Sequence, residues 1–159
     1  MKRLLHIAII TLVAALVACS DDSCPDNGSS LPLAACFVNG SQQTVTGLTV
    51  MGIGVPGDSL LADGEALKEI YLPLRAGATT TSYMVARRLN DSTLVSDTVT
   101  FDYQPIEFFH SIECGAMYNF DIKGVRHTGH GIDSVVVLTP LVTNARIPVM
   151  RIYFSSLNS

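Results

Sequence analysis

Apolar and polar side chains alternate along most of the chain, which is the pattern of β-strands that bury one face. The clearest example is 95–103, where Val95, Val99 and Phe101 point to one side and the intervening polar residues to the other. Asp97 interrupts the apolar row, so this strand is predicted to begin after it. β-Branched residues dominate such runs, as is usual in strands. The predicted strands cover 44–50, 68–74, 79–89, 95–103, 118–125, 132–138 and 146–154, and a strand-like apolar stretch that begins at Leu33 precedes them.

Turn-forming residues separate these runs. Asn90 and Asp91 predict the tight turn of a hairpin, and the glycine-rich segment 124–131 predicts a loop. Residues 60–67 are the only helix candidate, but they are few and include Gly64, so no helix is predicted. Seven or eight short strands at even spacing indicate an all-β fold, an antiparallel β-sandwich of immunoglobulin-like or related type. We find no internal repeat and no second domain.

The chain begins with Lys2 and Arg3, followed by one long apolar run at 4–18. A basic start, a short apolar run and small residues before a cleavage point are typical of a secretory signal. A helix of this length spans roughly 22 Å, short of the roughly 30 Å hydrocarbon core, so a transmembrane anchor is the weaker interpretation. Residues 16–19, Leu-Val-Ala-Cys, resemble the lipobox of bacterial lipoproteins, which implies that Cys19 is lipidated and becomes the first mature residue. An ordinary signal peptide with an incidental cysteine is the alternative.

An acidic pair, Asp21 and Asp22, follows Cys19. It resembles the export signal that sends lipoproteins of Bacteroidetes-type bacteria to the outer face of the outer membrane, and a solvated linker is the alternative interpretation. We therefore expect a lipid anchor in the outer membrane, on the periplasmic or the surface-exposed side, with the surface favoured. The predicted organisation is a cleaved signal peptide at 1–18, a lipidated cysteine with a polar tether at 19–32, and one β-sandwich domain at 33–159.

Composition and charge narrow the function classes. The 159 residues are 48% hydrophobic and have a mean hydropathy of +0.36, to which the run at 4–18 contributes much. Cleavage after residue 18 removes Lys2 and Arg3 and none of the 14 acidic residues, so the net charge changes from −4 to −6. This charge argues against a nucleic-acid partner, and the apolar content argues against a disordered chain.

Three cysteines remain once Cys19 carries lipid, an odd number for an oxidising compartment. Pairing Cys24 with Cys36 closes a loop of about 13 residues, worth about 3 kcal/mol in the chain-entropy model. Pairing Cys24 with Cys114 closes about 91 residues, worth about 4.6 kcal/mol in the same model. Cys36 lies in an apolar run and is expected to be a buried, reduced thiol, whereas Cys114 has a loop-like setting. We therefore predict a Cys24–Cys114 disulfide, with Cys24–Cys36 as the alternative.

His127 and His130 form the only clustered histidine pair, and Asp133 is a nearby third candidate ligand. Two imidazoles at this spacing can bind zinc on a helix, but the surrounding glycines predict a loop, and no helper carboxylate stands nearby as in HExxH. The cysteines offer no CxxC pair for zinc either. A solvated loop is the preferred interpretation, so no metal and no other cofactor is predicted.

His110, Ser111 and Glu113 together suggest a nucleophile and its base. Neighbours in an extended chain point to alternating faces, however, and a catalytic triad needs three side chains that converge. No Gly-x-Ser-x-Gly turn is present. A polar loop positioned by a bridge at Cys114 is the preferred interpretation, and no catalytic residue is predicted.

Two further sets of residues have a functional and a structural interpretation. Arg87 and Arg88 could contribute to a site for an anionic ligand, although paired basic residues on a strand more often protect an exposed sheet edge. Four tyrosines could line a carbohydrate-binding face, but Trp is absent and the core needs most of the aromatic rings. These tyrosines are Tyr71, Tyr83, Tyr103 and Tyr118.

Several short motifs follow one another along the mature chain: Cys24, a strand ending at Phe37, Leu-Pro-Leu at 72–74, Asp-Thr at 97–98 with Tyr103, the cluster 109–115, Ile-Asp at 132–133 and the closing strand 151–154. Together they resemble an uncharacterised family of small Bacteroidetes lipoproteins, a domain of unknown function. Ser111-x-x-Cys114-Gly115 with Cys24 is the most specific part. The resemblance implies a β-sandwich-like lipoprotein whose two shared cysteines pair, with Cys36 as a departure from the pattern. It implies no activity and no catalytic residues.

The expected function is that of a lipid-anchored outer-membrane or cell-surface lipoprotein of unknown molecular function. Its domain is expected to be a non-enzymatic binding or structural module that contacts another envelope protein, because an acidic, aromatic-poor domain on a lipid tether suits protein contact. A lipoprotein that captures surface glycans or metal is the alternative, and an enzyme of unrecognised type is the least favoured class. One exposed apolar patch would favour partner binding, whereas a deep cleft at His110 or Glu113 would favour an enzyme.

Overall fold

The computed structural model describes residues 31–54, 59–112 and 114–156. Over these residues it contains eleven β-strands, and no helix that is long and apolar enough to span a membrane. The strands are β1 (Leu33–Val38), β2 (Ser41–Gln42), β3 (Val45–Ile53), β4 (Leu60–Leu67), β5 (Glu69–Tyr71), β6 (Thr80–Asn90), β7 (Thr93–Ser111), β8 (Gly115–His127), β9 (Ile132–Val137), β10 (Leu141–Val142) and β11 (Pro148–Phe154).

The strands form two sheets, and the predicted all-β sandwich is confirmed. One sheet has five strands in the order β2-β1-β11-β9, with β5 also paired to β1, and the other has six in the order β10-β8-β7-β6-β3-β4. All neighbours run antiparallel except β1 and β11, which are parallel. These are the first and last described strands, and the whole chain between them supplies the long connection that a parallel pair requires.

The hydrophobic core lies between the sheets and takes one face of each. Phe101 and Phe120 from the six-stranded sheet, and Met150 and Ile152 from the five-stranded sheet, are fully buried. Tyr103 packs edge-to-face against Phe120, with ring centroids 5.5 Å apart. The alternation predicts this inner face correctly over 99–103, because Val99, Phe101 and Tyr103 are buried while the residues between them stay partly exposed.

Strands β2, β4 and β10 have no counterpart among the predicted strands. β4 forms at 60–67, the segment that carries the weak helix signal, and it pairs only with β3 at an edge of the sheet. Ala62 is its one buried residue, so the strand has no apolar alternation to reveal it. Gly64 has a φ of +65° where the β3–β4 register shifts, a left-handed conformation that glycine adopts easily. β2 and β10 have two residues each and are too short to show a pattern.

Several predicted strand boundaries are wrong, and the largest difference is at the end of β7, which continues to Ser111 instead of ending at 103. Two further strand ends lie in segments with a weak local strand signal. β8 runs through Gly124 to His127, which limits the loop before β9 to 128–131. β7 begins at Thr93, so Asp97 lies inside the strand rather than before it. In both places long-range contacts of the polar or glycine residues compensate for the weak local strand signal.

The predicted turn between β6 and β7 is confirmed. The side-chain oxygen Oδ1 of Asn90 accepts hydrogen bonds from the backbone N–H groups of Ser92 and Thr93, at 3.0 and 2.9 Å. A short side chain that binds its own backbone two or three residues later closes a tight turn, which is why Asn is frequent at this position.

Asp97 is the one buried charged side chain among the described residues, at 2% exposure. Its carboxylate accepts four hydrogen bonds, from Thr128 Oγ1 at 2.7 Å and from the backbone N–H groups of His130, Gly131 and Ile132 at 2.8, 2.6 and 2.8 Å. His130 Nδ1 lies 3.3 Å from the same carboxylate. These partners form the connection in which the chain leaves the six-stranded sheet at β8 and enters the five-stranded sheet at β9. Asp97 therefore ties one sheet to the start of the other.

The connection can approach Asp97 this closely because Gly131 has no side chain. A Cβ atom at Gly131 would lie 2.9 Å from Cγ1 of Val95 and 3.5 Å from Oδ2 of Asp97. A larger residue would push the backbone away from the carboxylate and lengthen the hydrogen bonds. The glycine content of this segment thus reflects packing against β7.

Burial by itself would raise the pKa of Asp97, but the hydrogen bonds from His130, Thr128, Gly131 and Ile132 favour the carboxylate and hold the pKa below its ordinary value of 3.8. A carboxyl group whose pKa is lower in the folded chain than in the unfolded chain stabilises the fold at neutral pH. This contribution is lost as the pH falls below about 4 and through the folded-state pKa.

We expect Asp97→Asn to lower the free energy of unfolding at neutral pH by about 2–4 kcal/mol, because the amide turns an NH₂ group toward backbone N–H donors. Urea unfolding at neutral pH and at about pH 3 measures the difference, which should be smaller in acid because below about pH 4 the carboxyl group is protonated in the unfolded chain. Asp102→Asn on the same strand is the control, because the ion pair of Asp102 with Arg126 is largely exposed and is worth less than about 1 kcal/mol. Equal losses for the two variants would contradict the role assigned to Asp97.

Candidate functional site

The candidate metal ligands His127, His130 and Asp133 do not converge. His127 Nδ1 lies 2.7 Å from the carbonyl oxygen of the next residue, His130 faces Asp97, and the Asp133 carboxylate accepts a hydrogen bond from the Ser155 hydroxyl. Each side chain therefore has a separate structural partner. In the part of the chain that the structure describes, no group of three or more His, Cys, Asp or Glu side chains could hold a metal ion.

His110 and Ser111 lie at the end of β7, so the prediction of a polar loop at these two positions is wrong. His110 is exposed, and its ring stands edge-on to Phe108 with centroids 6.4 Å apart. The Ser111 hydroxyl accepts a hydrogen bond from the backbone N–H of Cys114 at 3.1 Å, which closes the turn into β8. Glu113 lies outside the described residues. The Ser111 hydroxyl thus has a structural role in the hairpin.

Arg87 and Arg88 lie on β6, an inner strand between β7 and β3, so their interpretation as edge protection is wrong. Arg88 is exposed. Arg87 is half-buried, and its Nη1 donates to the carbonyl oxygen of Ser155 at 3.2 Å, while its Nε is buried without a hydrogen-bond partner in the described part of the chain. Because neighbouring residues of a strand point to opposite faces, the two guanidinium groups form no joint anion site.

The four candidate tyrosines do not share a surface. Tyr83 donates a hydrogen bond to the carbonyl oxygen of Pro73, and burial, followed by the neighbouring Tyr103 hydroxyl, raises the pKa of Tyr83 well above its ordinary value. The Tyr103 hydroxyl donates to the carbonyl oxygen of Arg75 and accepts from its N–H, each at 3.0 Å. These two rings hold the segment after β5 against the core. The tyrosines range from buried Tyr83 and Tyr103 through half-buried Tyr118 to Tyr71 at 44% exposure.

A cavity of about 130 Å³ lies between β3, β6 and the segment after β5. Its lining is mostly apolar and includes Ile53, Leu61 and Leu74, with Arg75 and Thr81 among the polar members. The described lining residues contain no histidine, cysteine or carboxylate. Among the described residues, the lining therefore supplies none of the side chains that most often serve as a general acid or base.

Exposed apolar side chains gather where both sheets end. β9 is the last strand of the five-stranded sheet, and β10 is the last strand of the six-stranded sheet. The backbone N–H groups of Leu138 and Thr139 both bind the carbonyl oxygen of Val149, at 2.8 and 3.2 Å, which places the β9–β10 connection beside the start of β11. An open strand edge with exposed apolar side chains is a typical place for contact with another chain. We call the following residues the edge patch: Val136 (43% exposed), Leu138 (43%), Leu141 (45%) and Ile147 (58%).

A second exposed apolar surface lies at the far end of the β7–β8 hairpin. The ladder between β7 and β6 ends at Asp102, whereas β7 continues to pair with β8 as far as Ser111. This part of β7 has an open edge, where Pro105 can be accommodated without a backbone N–H. Phe109 and Ile112 at its end are the two most exposed large hydrophobic side chains in the described part of the chain, at 69% and 88%. We call these two residues the hairpin tip.

Neither the edge patch nor the hairpin tip is predicted from the sequence, although each has a local signal. Residues 135–138 continue as an uninterrupted apolar run where a half-buried strand would alternate. Phe108 and Phe109 are neighbours in the chain, so in a strand their rings point to opposite faces of the sheet. Neither signal distinguishes a buried strand from an exposed contact surface, and only the sheet order makes that distinction.

Cys36 is fully buried on β1 and is a free thiol, as the sequence predicts. Burial, followed by the negative charge of Glu69, raises the pKa of Cys36 from 9.0 to about 12. The predicted signal segment, Cys19 and Cys24 lie outside the described residues. Lipidation of Cys19 and the Cys24–Cys114 disulfide therefore stay predictions.

A protein-family model matches residues 47–154, from within β3 to the last residue of β11. The chain belongs to a family of unknown function, DUF6452. The expected resemblance to an uncharacterised domain is thus confirmed at this level. The DUF6452 match contains both exposed apolar surfaces and Cys114, and it leaves out β1 with Cys36 as well as Cys24. Comparisons with curated proteins and with solved structures find no match.

We expect Cys36 of the folded DUF6452 protein to resist alkylation at about pH 8, because a thiol with its pKa near 12 is almost entirely protonated and this one is also buried. Mass spectrometry after treatment with iodoacetamide measures the modification, and the same reaction in urea is the control in which Cys36 should react. A digest without reducing agent should contain a peptide that joins Cys24 to Cys114. A Cys24–Cys36 peptide, or rapid labelling of folded Cys36, would refute these assignments.

Proposed function

We propose that this DUF6452 protein is a lipid-anchored outer-membrane lipoprotein of a Bacteroidetes-type bacterium, and that its domain is a non-enzymatic module that contacts another envelope protein. The domain stands on the periplasmic or the surface-exposed side of the membrane, with the surface favoured by Asp21 and Asp22 behind Cys19. The edge patch is the observation that carries the binding role.

The anchor is supported by the order of features at the start of the chain. Lys2 and Arg3, the apolar run at 4–18 and the lipobox-like residues before Cys19 follow the arrangement of a lipoprotein signal. The polar segment after Cys19 suits a tether, and the domain begins directly after it, because Leu72 N–H already binds the carbonyl oxygen of Pro32. Two or more acyl chains hold a protein stably at a membrane.

The binding role is supported by the position of the edge patch. Its side chains stand at the ends of two sheets, where β9 presents backbone groups that no further described strand occupies. Burial of exposed apolar side chains against a partner is favourable by about 25 cal/mol per Å², and open strand edges add hydrogen bonds to such contacts. Val136 lies on β9 and Leu138 directly follows its last residue, and both are 43% exposed, so both are available to a partner at this edge.

The non-enzymatic interpretation is supported by the structural contacts that the candidate metal-binding and catalytic side chains make. His130 and Asp97 contact each other within the sheet connection, Ser111 closes a turn, and Asp133 binds Ser155. Through these contacts, the polar side chains hold strands and turns together. An apolar contact surface and polar groups engaged in structural bonds are typical of a binding module.

Replacing Cys19 tests the anchor. We expect the Cys19→Ala protein to lose metabolic labelling with radioactive palmitate and to move from the outer-membrane fraction to the soluble fraction, because no sulfur remains to carry the lipid. Cys36→Ala is the control and should remain labelled and membrane-bound. A Cys19→Ala protein that still carries lipid would show that the anchor assignment is wrong.

Polar substitutions in the edge patch test the partner contact. We expect Val136→Ser with Leu138→Ser to reduce the yield of a crosslinked partner from native membranes about tenfold or more, because two apolar contacts are lost. Leu94→Ser is the matched control, since Leu94 is 56% exposed at the β6–β7 turn, outside the patch. All three positions are exposed, so thermal unfolding should be unchanged. Equal crosslinking of patch variant, control variant and native protein would refute the edge patch as the contact surface.

A further inference from the structure

The hairpin tip has the exposure of a contact surface and no cover in the described part of the chain. Phe109 and Ile112 are more exposed than any other large hydrophobic residue described, and they stand at the end of the β7–β8 hairpin, where β7 no longer pairs with β6. Exposed large apolar side chains near one turn are typical of a surface that contacts a partner or a membrane. Cys114 lies two residues beyond Ile112, at the same turn.

The short tether between the lipidated cysteine and the disulfide favours the membrane as the partner of the hairpin tip. Four residues lie between Cys19 and Cys24, so the five Cα–Cα steps of a fully extended chain reach roughly 18 Å. A disulfide between Cys24 and Cys114 adds about 6 Å between their Cα atoms. The turn that holds the hairpin tip therefore lies within roughly 24 Å of the residue whose lipid is inserted in the membrane.

The opposite end of β7 provides the contrast. Leu94 and Phe109 are fifteen residues apart on one continuous strand, so they are separated by up to roughly 50 Å. A short tether that ends at Cys114 holds the hairpin tip close to the membrane and leaves the β6–β7 turn farther from it. Without the bridge, the fourteen residues from Cys19 to Leu33 would span up to roughly 50 Å and would favour no end of the domain.

We propose that the hairpin tip inserts into the interface of the membrane that holds the lipid of Cys19. This rests on the proposed anchor and on the predicted Cys24–Cys114 disulfide. Phe109 and Ile112 supply apolar insertion, and the backbone around them stays in the headgroup region, where water and polar groups satisfy its hydrogen bonds. Residues 103–112 contain no Lys or Arg, so the contact is apolar and independent of anionic lipid. The tip thus orients the domain, with the edge patch left free for a partner.

The absence of Trp from the sequence allows a site-specific test. Lipidated full-length protein is purified as Phe109→Trp, Ile112→Trp and Leu94→Trp variants, and each is reconstituted into phosphatidylcholine–phosphatidylethanolamine vesicles with or without brominated acyl chains. We expect both tip variants to show blue-shifted emission and quenching by the brominated lipid, and the Leu94→Trp variant to show neither. The quenching should be insensitive to salt, because screening acts on charges and not on apolar insertion.

Flotation of the same vesicles separates failure of the anchor from failure of the tip. Protein that floats with the vesicles while neither tip variant is quenched overturns the insertion and leaves the anchor standing, and equal quenching of all three variants overturns it as well. Protein that does not float overturns the anchor and the insertion together. A photo-crosslink from position 109 to a membrane protein, without quenching in vesicles, would assign the tip to a protein partner and overturn the lipid contact.

Discussion

Asp97 stands on β7 with its carboxylate buried between the sheets, and it binds the connection through which the chain passes from β8 to β9. An isolated buried charge would be strongly unfavourable, and this one is tolerated because four donors meet its two oxygens. Three of those donors are backbone N–H groups that would otherwise remain unpaired at the start of a strand. The crossing between the sheets therefore depends on this carboxylate, and the core on both sides of it depends on the crossing.

β7 combines two roles along its nineteen residues. Its first half lies between β6 and β8 and places Val99, Phe101 and Tyr103 in the core, where the opposite sheet covers them. Its second half pairs with β8 and, beyond Asp102, no longer with β6. Val99 and Phe101 are fully buried, whereas Phe109 near the end of the strand and Ile112 just after it are largely exposed. The same strand thus supplies the core and an exposed apolar surface.

Several polar side chains of the domain form hydrogen bonds or ion pairs that hold its strands and connections in place. Thr128, His130 and Asp133 belong to hydrogen bonds that position β9, while the hydroxyls of Tyr83 and Tyr103 hold the segment after β5. Groups committed to such bonds stabilise the fold. Two exposed apolar surfaces lie at a sheet edge and at a hairpin end, and they support the binding role proposed for this DUF6452 domain.

The sequence by itself determined the fold class, the inner face of β7 and the β6–β7 turn, because these depend on alternation and on a side chain that binds its own backbone two or three residues away. It also located the buried thiol of Cys36 from its apolar neighbours. Only the tertiary structure decided the parallel pairing of β1 with β11, the edge strand β4 and the role of Asp97, whose partners lie 31 to 35 residues later in the chain. The two exposed apolar surfaces belong to the same class. In the sequence, an apolar strand residue that a second sheet covers looks the same as one at an uncovered sheet edge. The order of the strands in the folded structure decides which of the two it is.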